Sequence, residues 1–474
     1  MMRLRYLVPV LGLVTSSFVA VACGTDGSTD DGGGGAGGAA PTPSDGGAGA
    51  ADAGAGGAGG GEGGAACAAD GTGTLVLEIS GLPDGVLADV STAGAHEYAV
   101  TESSSLDRVT TGNYTVTAAR VFDEDPIVRT VYDAKVTAPS FCLADGESHT
   151  VKITYTAIPS SNKLWMPSGS EVELAGFTSQ AIAETGMTDA SVAIHTPGSG
   201  SVAFDRDGNL WAVGPTAGGD MLVRIPAAEL GESGTREPDT TINVPEIECY
   251  PFINHIAFDP SGNLWLSACE DQVHRLKAAD LTTSGDKTSD VLFTSVVNNS
   301  GIAFDNAGNL WVAGGPTLER FDAARLDLSD TDAPDLALSI TSATSDKTVL
   351  GVDELAFDKA GNLWGISGSF VFELAAADLE GTGEQAVVAS HSFTMDVLAL
   401  PATPAFDDGN ALWVSLADGS FGKFSPAQLV VNKGPGAPVT PSVLLTSASI
   451  TSGLPLAFFP APEGLPLYHS LPQP

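Results

Sequence analysis

The stretch Gly301–Gly314, GIAFDNAGNLWVAG, is one of five versions of a single frame in this chain. Ser201–Gly214 reads SVAFDRDGNLWAVG and His255–Ala268 reads HIAFDPSGNLWLSA; Glu354–Ser367 reads ELAFDKAGNLWGIS and Thr403–Leu416 reads TPAFDDGNALWVSL. Each is a short apolar run, an Asp/Gly/Asn turn and a second apolar run, the signature of a β-hairpin. The Asp falls at Asp205, Asp259, Asp305, Asp358 and Asp407, a repeat of about 50 residues that is the period of four-stranded propeller blades. The unit around Asp259 supplies four strand candidates, HIAF, LWLSA, QVHRL and VLFTSV. A second recurring signal follows the third strand: RIPAAEL, RLKAADL, RFDAARL, ELAAADL and KFSPAQL.

Tryptophan gives the number of units. The six Trp, at 165, 211, 265, 311, 364 and 413, each follow Leu in the second-strand slot. The first, in NKLWMPSG, lacks a preceding first strand, and LPLAFFPAPEGLPLY near the C-terminus is a first strand without a Trp. Pairing the two closes a ring of six blades and removes the exposed edges of an open sheet. LPLYHS is left as the alternative start of a seventh. In the frame itself, Asp accepts turn amides and Gly supplies positive φ, while Phe and Trp pack between blades. Those are structural duties. The run DRDGN at Asp205–Asn209 resembles a calcium loop, but its sister repeats lack the extra ligand.

Upstream of the repeats, TLVLEIS, HEYAVT, NYTVTAARVF, TVYDAKVTA and HTVKITYTA alternate apolar and polar residues between turns. They predict a small Ig-like β-sandwich over 68–158. SGLPDGVLADVS with VTTGNYTVTA resembles the Ig-like or carboxypeptidase-regulatory-like spacer modules of bacterial surface proteins. The expected fold is therefore all-β, a six-bladed β-propeller over 162–470 preceded by this sandwich. Residues 24–67 are Gly/Ala-rich with almost nothing to bury, a flexible tether with a reach of about 35–40 Å.

The N-terminus begins with the basic MMRLRY and an apolar run too short for a span, ending Ala20-Val21-Ala22-Cys23-Gly24. This resembles a bacterial lipoprotein signal over 1–23 with Cys23 as the lipidated residue; an ordinary secretory signal is the other reading. With Gly24 after the cysteine, the resemblance implies an anchor in the outer membrane of the cell envelope. The formal charge of −38, with only 20 Lys and Arg, excludes a nucleic-acid partner. Beyond Cys23, four cysteines in an oxidising compartment imply two disulfides. Proximity in the repeat favours Cys249–Cys269, which leaves Cys67–Cys142. A monomer is expected.

No His-Glu-x-x-His, nucleophile elbow, phosphate loop or Cys/His cluster occurs in the sequence. Candidate function lies where the first strands begin, at the channel mouth, with one residue five positions before each repeat Asp: Gly200, Asn254, Ser300, Asp353 and Ala402. The frame FDxxGNLWV resembles the NHL, virginiamycin B lyase and regucalcin–gluconolactonase propellers over about two thirds of the chain. That resemblance implies a divalent cation, such as calcium, held at the mouth by Asn254 and Asp353. Ser300 stands where the pattern has Asn, and Leu454 and Pro455 stand where it has Glu, so two of four oxygen donors remain. Glu248, Tyr250, His255 and Glu354 are the expected binding residues around the mouth. The leading expectation is an envelope-anchored binding or scaffolding module with a protein or small-molecule ligand. The alternatives are a metal-dependent hydrolase or lyase and a calcium-stabilised surface protein.

Overall fold

The computed structural model describes Cys67 and residues 70–168, 173–198, 200–216, 219–247, 253–268, 272–294, 300–329, 333–397, 401–451 and 455–465. The signal and tether, Cys23, Glu248, Cys249, Tyr250 and Cys269 lie outside them. The chain is almost entirely β, in many sheets. Among the described residues no helix is long and apolar enough to cross a membrane.

Two sheets share the first core. Thr72–Ser80 lies between Ser104–Thr110, antiparallel, and Ser148–Ala157, parallel. Val90–Gly94 pairs Tyr98–Val100 and Gly112–Ala118 in the second sheet. Leu75, Leu77, Val151 and Ile153 of one sheet meet Val90, Tyr114 and Val116 of the other. This is the alternation read from the sequence, with the apolar face turned inward. Cys67 is bonded to Cys142, Cα–Cα 5.8 Å, as expected.

Six further antiparallel sheets follow the repeats. Their inner strands are Ala457–Phe459 (sheet 1), Val202–Phe204 (sheet 2), Ile253–Phe258 (sheet 3), Ile302–Phe304 (sheet 4), Glu354–Phe357 (sheet 5) and Pro401–Phe406 (sheet 6). Consecutive inner strands are neighbours from sheet 1 to sheet 6, and sheet 6 adjoins sheet 1 again. Sheet 1 is completed from both chain ends: Ala457–Phe459 pairs Lys163–Pro167. An aromatic belt follows the same circuit. Trp165, Trp211, Trp265, Trp311, Trp364 and Trp413 each meet a Phe of the following sheet at 5.8–6.4 Å and 60–65°. Those partners are Phe204, Phe258, Phe304, Phe357, Phe406 and Phe458, so the two aromatic residues of the frame join neighbouring sheets in the tilted geometry that ring quadrupoles favour.

Outer edges are covered by a device absent from the sequence reading. The loop before each fourth strand reaches back to the preceding sheet. Gly234–Thr235 pairs Val192–His195, Gly285–Asp286 pairs Thr240–Asn243, and Gly383–Val388 pairs Leu336–Thr341, all in parallel. Asn432–Lys433 does the same for His391–Thr394, and Gly186–Met187 of sheet 1 does it for Val443–Thr446 of sheet 6. In sheet 3 a side chain takes over: Ser329 Oγ accepts the Leu292 N–H at 3.2 Å. These clasps satisfy edge groups that would otherwise be open to pairing with another chain.

The first two-sheet unit is not a loosely strung bead. Its 122–131 segment inserts against sheets 1 and 6, with Val128, 1% exposed, in one core with Leu164, Phe177 and Trp413. Asp125 shapes the loop, its Oδ1 accepting the Ile127 and Val128 amides and its Oδ2 the Ser179 hydroxyl. Asp408 Oδ2 accepts the Arg129 amide at 3.1 Å, and Arg120 spans from Asp133 to the Arg206 carbonyl and Asp207.

Candidate functional site

The two ends of the inner strands differ in chemistry. At the turn end each repeat Asp is a saturated hub. Asp259 Oδ1 accepts the amides of Ser261 and Asn263, both at 2.9 Å; its Oδ2 accepts the Asn263 side-chain amide and the Trp265 indole N–H. The same four bonds recur at Asp205, Asp305 and Asp358. The free oxygen of each Asn then accepts an amide from the small-residue segment after the third strand: Ala227, Ala278, Ala323 or Ala376. Both repeated signals are thus parts of one network.

The fifth hub shows how far the frame bends. FDDGNALW places Asn410 at the left-handed position, φ 58°, where Gly208, Gly262, Gly308 and Gly361 stand at 79–82°. Asn is one of the few residues that adopts this conformation readily. The displaced Asn amide is replaced by the Lys423 ammonium, 2.8 Å from Asp407 Oδ2. At Asp205 the hub leaves no vacant carboxylate oxygen for a calcium ion; all four contacts are N–H donors.

The inner strands enclose a cavity of about 210 Å³. Ala203, Ala257, Ala303, Ala356, Ala405 and Ala457 line its middle, one per sheet, and the six belt phenylalanines line the turn end. Ala461, Pro462 and Leu465 also line it. The chain leaving sheet 1 therefore runs along the turn end toward sheet 5, where Leu465 joins the core of Leu355 and Phe357. That segment covers the turn end.

At the opposite end the strand residue four before each hub shares the alanine side: Ser201, His255, Gly301, Glu354 and Thr403. Here the bonding is irregular. His255 Nδ1 and Glu354 Oε2 are buried atoms without a hydrogen-bond partner. Burial pushes the His255 imidazole down to about 4. It pushes the Glu354 carboxyl up to about 8, with the Asp353 charge adding in the same direction. Burial favours the uncharged form of both groups. Gly301 makes room for this carboxyl: a Cβ there would stand 2.3 Å from Glu354 Oε2. His255 follows a bulge, since Ile253 pairs Ala268 and His255 pairs Ser267, with the register shifting between them. Bulges re-aim side chains in this way. Ser267 Oγ accepts the His255 amide and donates to the Ser300 carbonyl of sheet 4, linking the sheets along the rim.

Of the expected site residues, His255 and Glu354 are brought to this rim. Asp353 is exposed, and its Oδ2 accepts the Gly368 N–H at 2.8 Å within its own sheet. Ser300 donates its hydroxyl to the Asp353 carbonyl. Among the described residues no three His, Cys, Asp or Glu gather to hold a metal. Sequence reasoning centred on the position five before the hub; Gly200, Ser300 and Asp353 instead continue the ladder with their second strands through Val213, Ala313 and Ile366. It passed over Gly301 and Ser267, although alternation from the lining alanines would have found Gly301.

No protein-family model matches the chain, and no curated protein matches it.

Proposed function

We propose that the six sheets are the blades of a six-bladed propeller carried on an Ig-like sandwich, and that the protein is a binding or scaffolding module lipid-anchored through Cys23 to the cell envelope. The observation that carries the binding role is a cavity covered at its turn end, with His255 in its lining and Glu354 two residues before the lining Ala356 on the same strand, while His255 Nδ1 and Glu354 Oε2 are buried atoms without a hydrogen-bond partner. Buried polar atoms are almost always bonded, so an orphan pair beside a cavity marks a place for a ligand's polar group. The belt and clasps support a rigid ring, and the inserted 122–131 loop holds the sandwich in a fixed relation to it.

The test is a small-fragment screen of the full chain by ligand-observed NMR, with Ala303→Leu as the blocked comparison. Fragments that bind the native protein and lose binding in the variant are the expected result. Micromolar calcium or other divalent-cation binding that disappears in Asp353→Ala, measured by calorimetry on metal-stripped protein, would replace this reading with metal-dependent chemistry.

A further inference from the structure

Building on the binding role above, we infer that the cavity takes a small primary ammonium with an apolar body, its charged end against Glu354. The walls decide the body. Alanine and phenylalanine from all six sheets make the inside mainly apolar. A cavity of about 210 Å³ exceeds the roughly 150 Å³ that accommodates a benzene ring. The room is that of a single ring with a short substituent.

The rim decides the head group. Among the described residues, the polar ones four before each hub, Ser201, His255, Glu354 and Thr403, include one carboxyl and no Lys or Arg. Ser201 Oγ is engaged with the Ile256 amide, and the Thr403 amide with Ser415 Oγ. The orphan atoms are the Glu354 oxygen and the His255 nitrogen. An anion would meet Glu354 and its neighbour Asp353, with no Lys or Arg among the described rim residues to balance it. A divalent cation would find one engaged and one buried carboxylate, too few donors to replace its water. An ammonium meets an acceptor at Glu354 that ionises once a positive charge lies beside it. The charge of −38 draws cations toward the molecule as a whole.

Glu354 is protonated before the ligand arrives, so binding transfers its proton to solvent. The bound state is a carboxylate–ammonium pair, and the released proton is a direct mark of where the charge sits. A neutral ligand bonded by the Glu354 hydroxyl releases none.

The probes are benzylammonium, benzyl alcohol and benzoate, titrated calorimetrically into the full chain at pH 7 in two buffers of different ionisation enthalpy. Benzylammonium is expected to bind at least about tenfold more tightly than benzyl alcohol, with release of about one proton, and benzoate not at all. Glu354→Gln should remove both the preference and the proton release. Equal affinity for ammonium and alcohol, or ammonium binding without proton release in the native protein, overturns the charge assignment and leaves the binding cavity standing. Failure of all three probes overturns the cavity as a ligand site together with this inference. Ammonium binding unaltered by Glu354→Gln places the cation on the acidic exterior and also overturns it. Because proton release is read on the native protein, the outcome does not depend on a variant that folds.

Discussion

The same inner strands end in two opposite ways. At one end Asp205, Asp259, Asp305 and Asp358 each collect four N–H donors, and Asp407 keeps the arrangement with a lysine in place of an amide. At the other end, four or five residues away, no two sheets carry the same residue, and His255 and Glu354 bury atoms with no partner. A ring built by repetition needs only one end of its strands to hold it. The other end is left to vary, and polar groups that weaken the fold accumulate there.

Removing a hub should separate the two ends most sharply. Asp259→Ala leaves two turn amides, an Asn side chain and the Trp265 indole without their acceptor, at a site 6% exposed. A loss of about 3–5 kcal/mol in denaturant unfolding is expected. A loss below about 1 kcal/mol would mean that the repeated frame is not what holds the ring.

Arg320 gives an intermediate effect. Its guanidinium lies 5.8 Å from the Trp311 ring and donates to the Leu379 and Gly381 carbonyls of the next sheet. Arg320→Ala should cost about 2–3 kcal/mol, read from the same unfolding curves. Arg236→Ala, at a guanidinium that bonds exposed carbonyls, serves as the near-neutral comparison.

The smallest effect should run the other way. A carboxyl whose folded value is raised from 4.5 to about 8 holds its proton longer in the native state than in the unfolded one. Its presence therefore lowers stability progressively as pH rises from about 4.5 through 8. Glu354→Gln should leave the midpoint nearly unchanged at pH 5 and raise it by on the order of a few degrees at pH 9. His255 slopes oppositely: with its folded value near 4 against 6.5, stability falls as pH drops from 6.5 through 4. A flat response in Glu354→Gln melting scans would show that the rim carries no stored penalty.

Much of the turn end was legible in the sequence because its chemistry is local. Asp, Gly, Asn and Trp within seven residues make their bonds to one another, and repetition made the frame conspicuous. The strand near the C-terminus was legible for the same reason: LAFF is the frame's first strand with Phe459 standing where Asp stands elsewhere. Trp165, lacking that Asp, donates instead to the Ser160 carbonyl. The clasps were not legible. They are two residues long in most sheets, and their partners lie about 40 residues away or, for Gly186 and Leu445, across nearly the whole repeat region. The rim was half legible: His255 and Glu354 could be named as polar residues near the strand starts. Which parity faced the alanine side depended on the bulge at Asn254, and that is a property of the pairing with Ser267 and Ala268.

Pairing between Lys163–Pro167 and Ala457–Phe459 joins segments about 290 residues apart. A chain made from its N-terminus forward produces one partner early and the other near its end. Throughout that interval Lys163–Pro167 has an open side, and Val443–Thr446 later meets a clasp, Gly186–Met187, that has been waiting since the first sheet. Contacts of this range make folding slow and leave apolar edges exposed while synthesis continues. The circle that covers the open side of Lys163–Pro167 is thus also a timing constraint: nothing short of the last inner strand can close it.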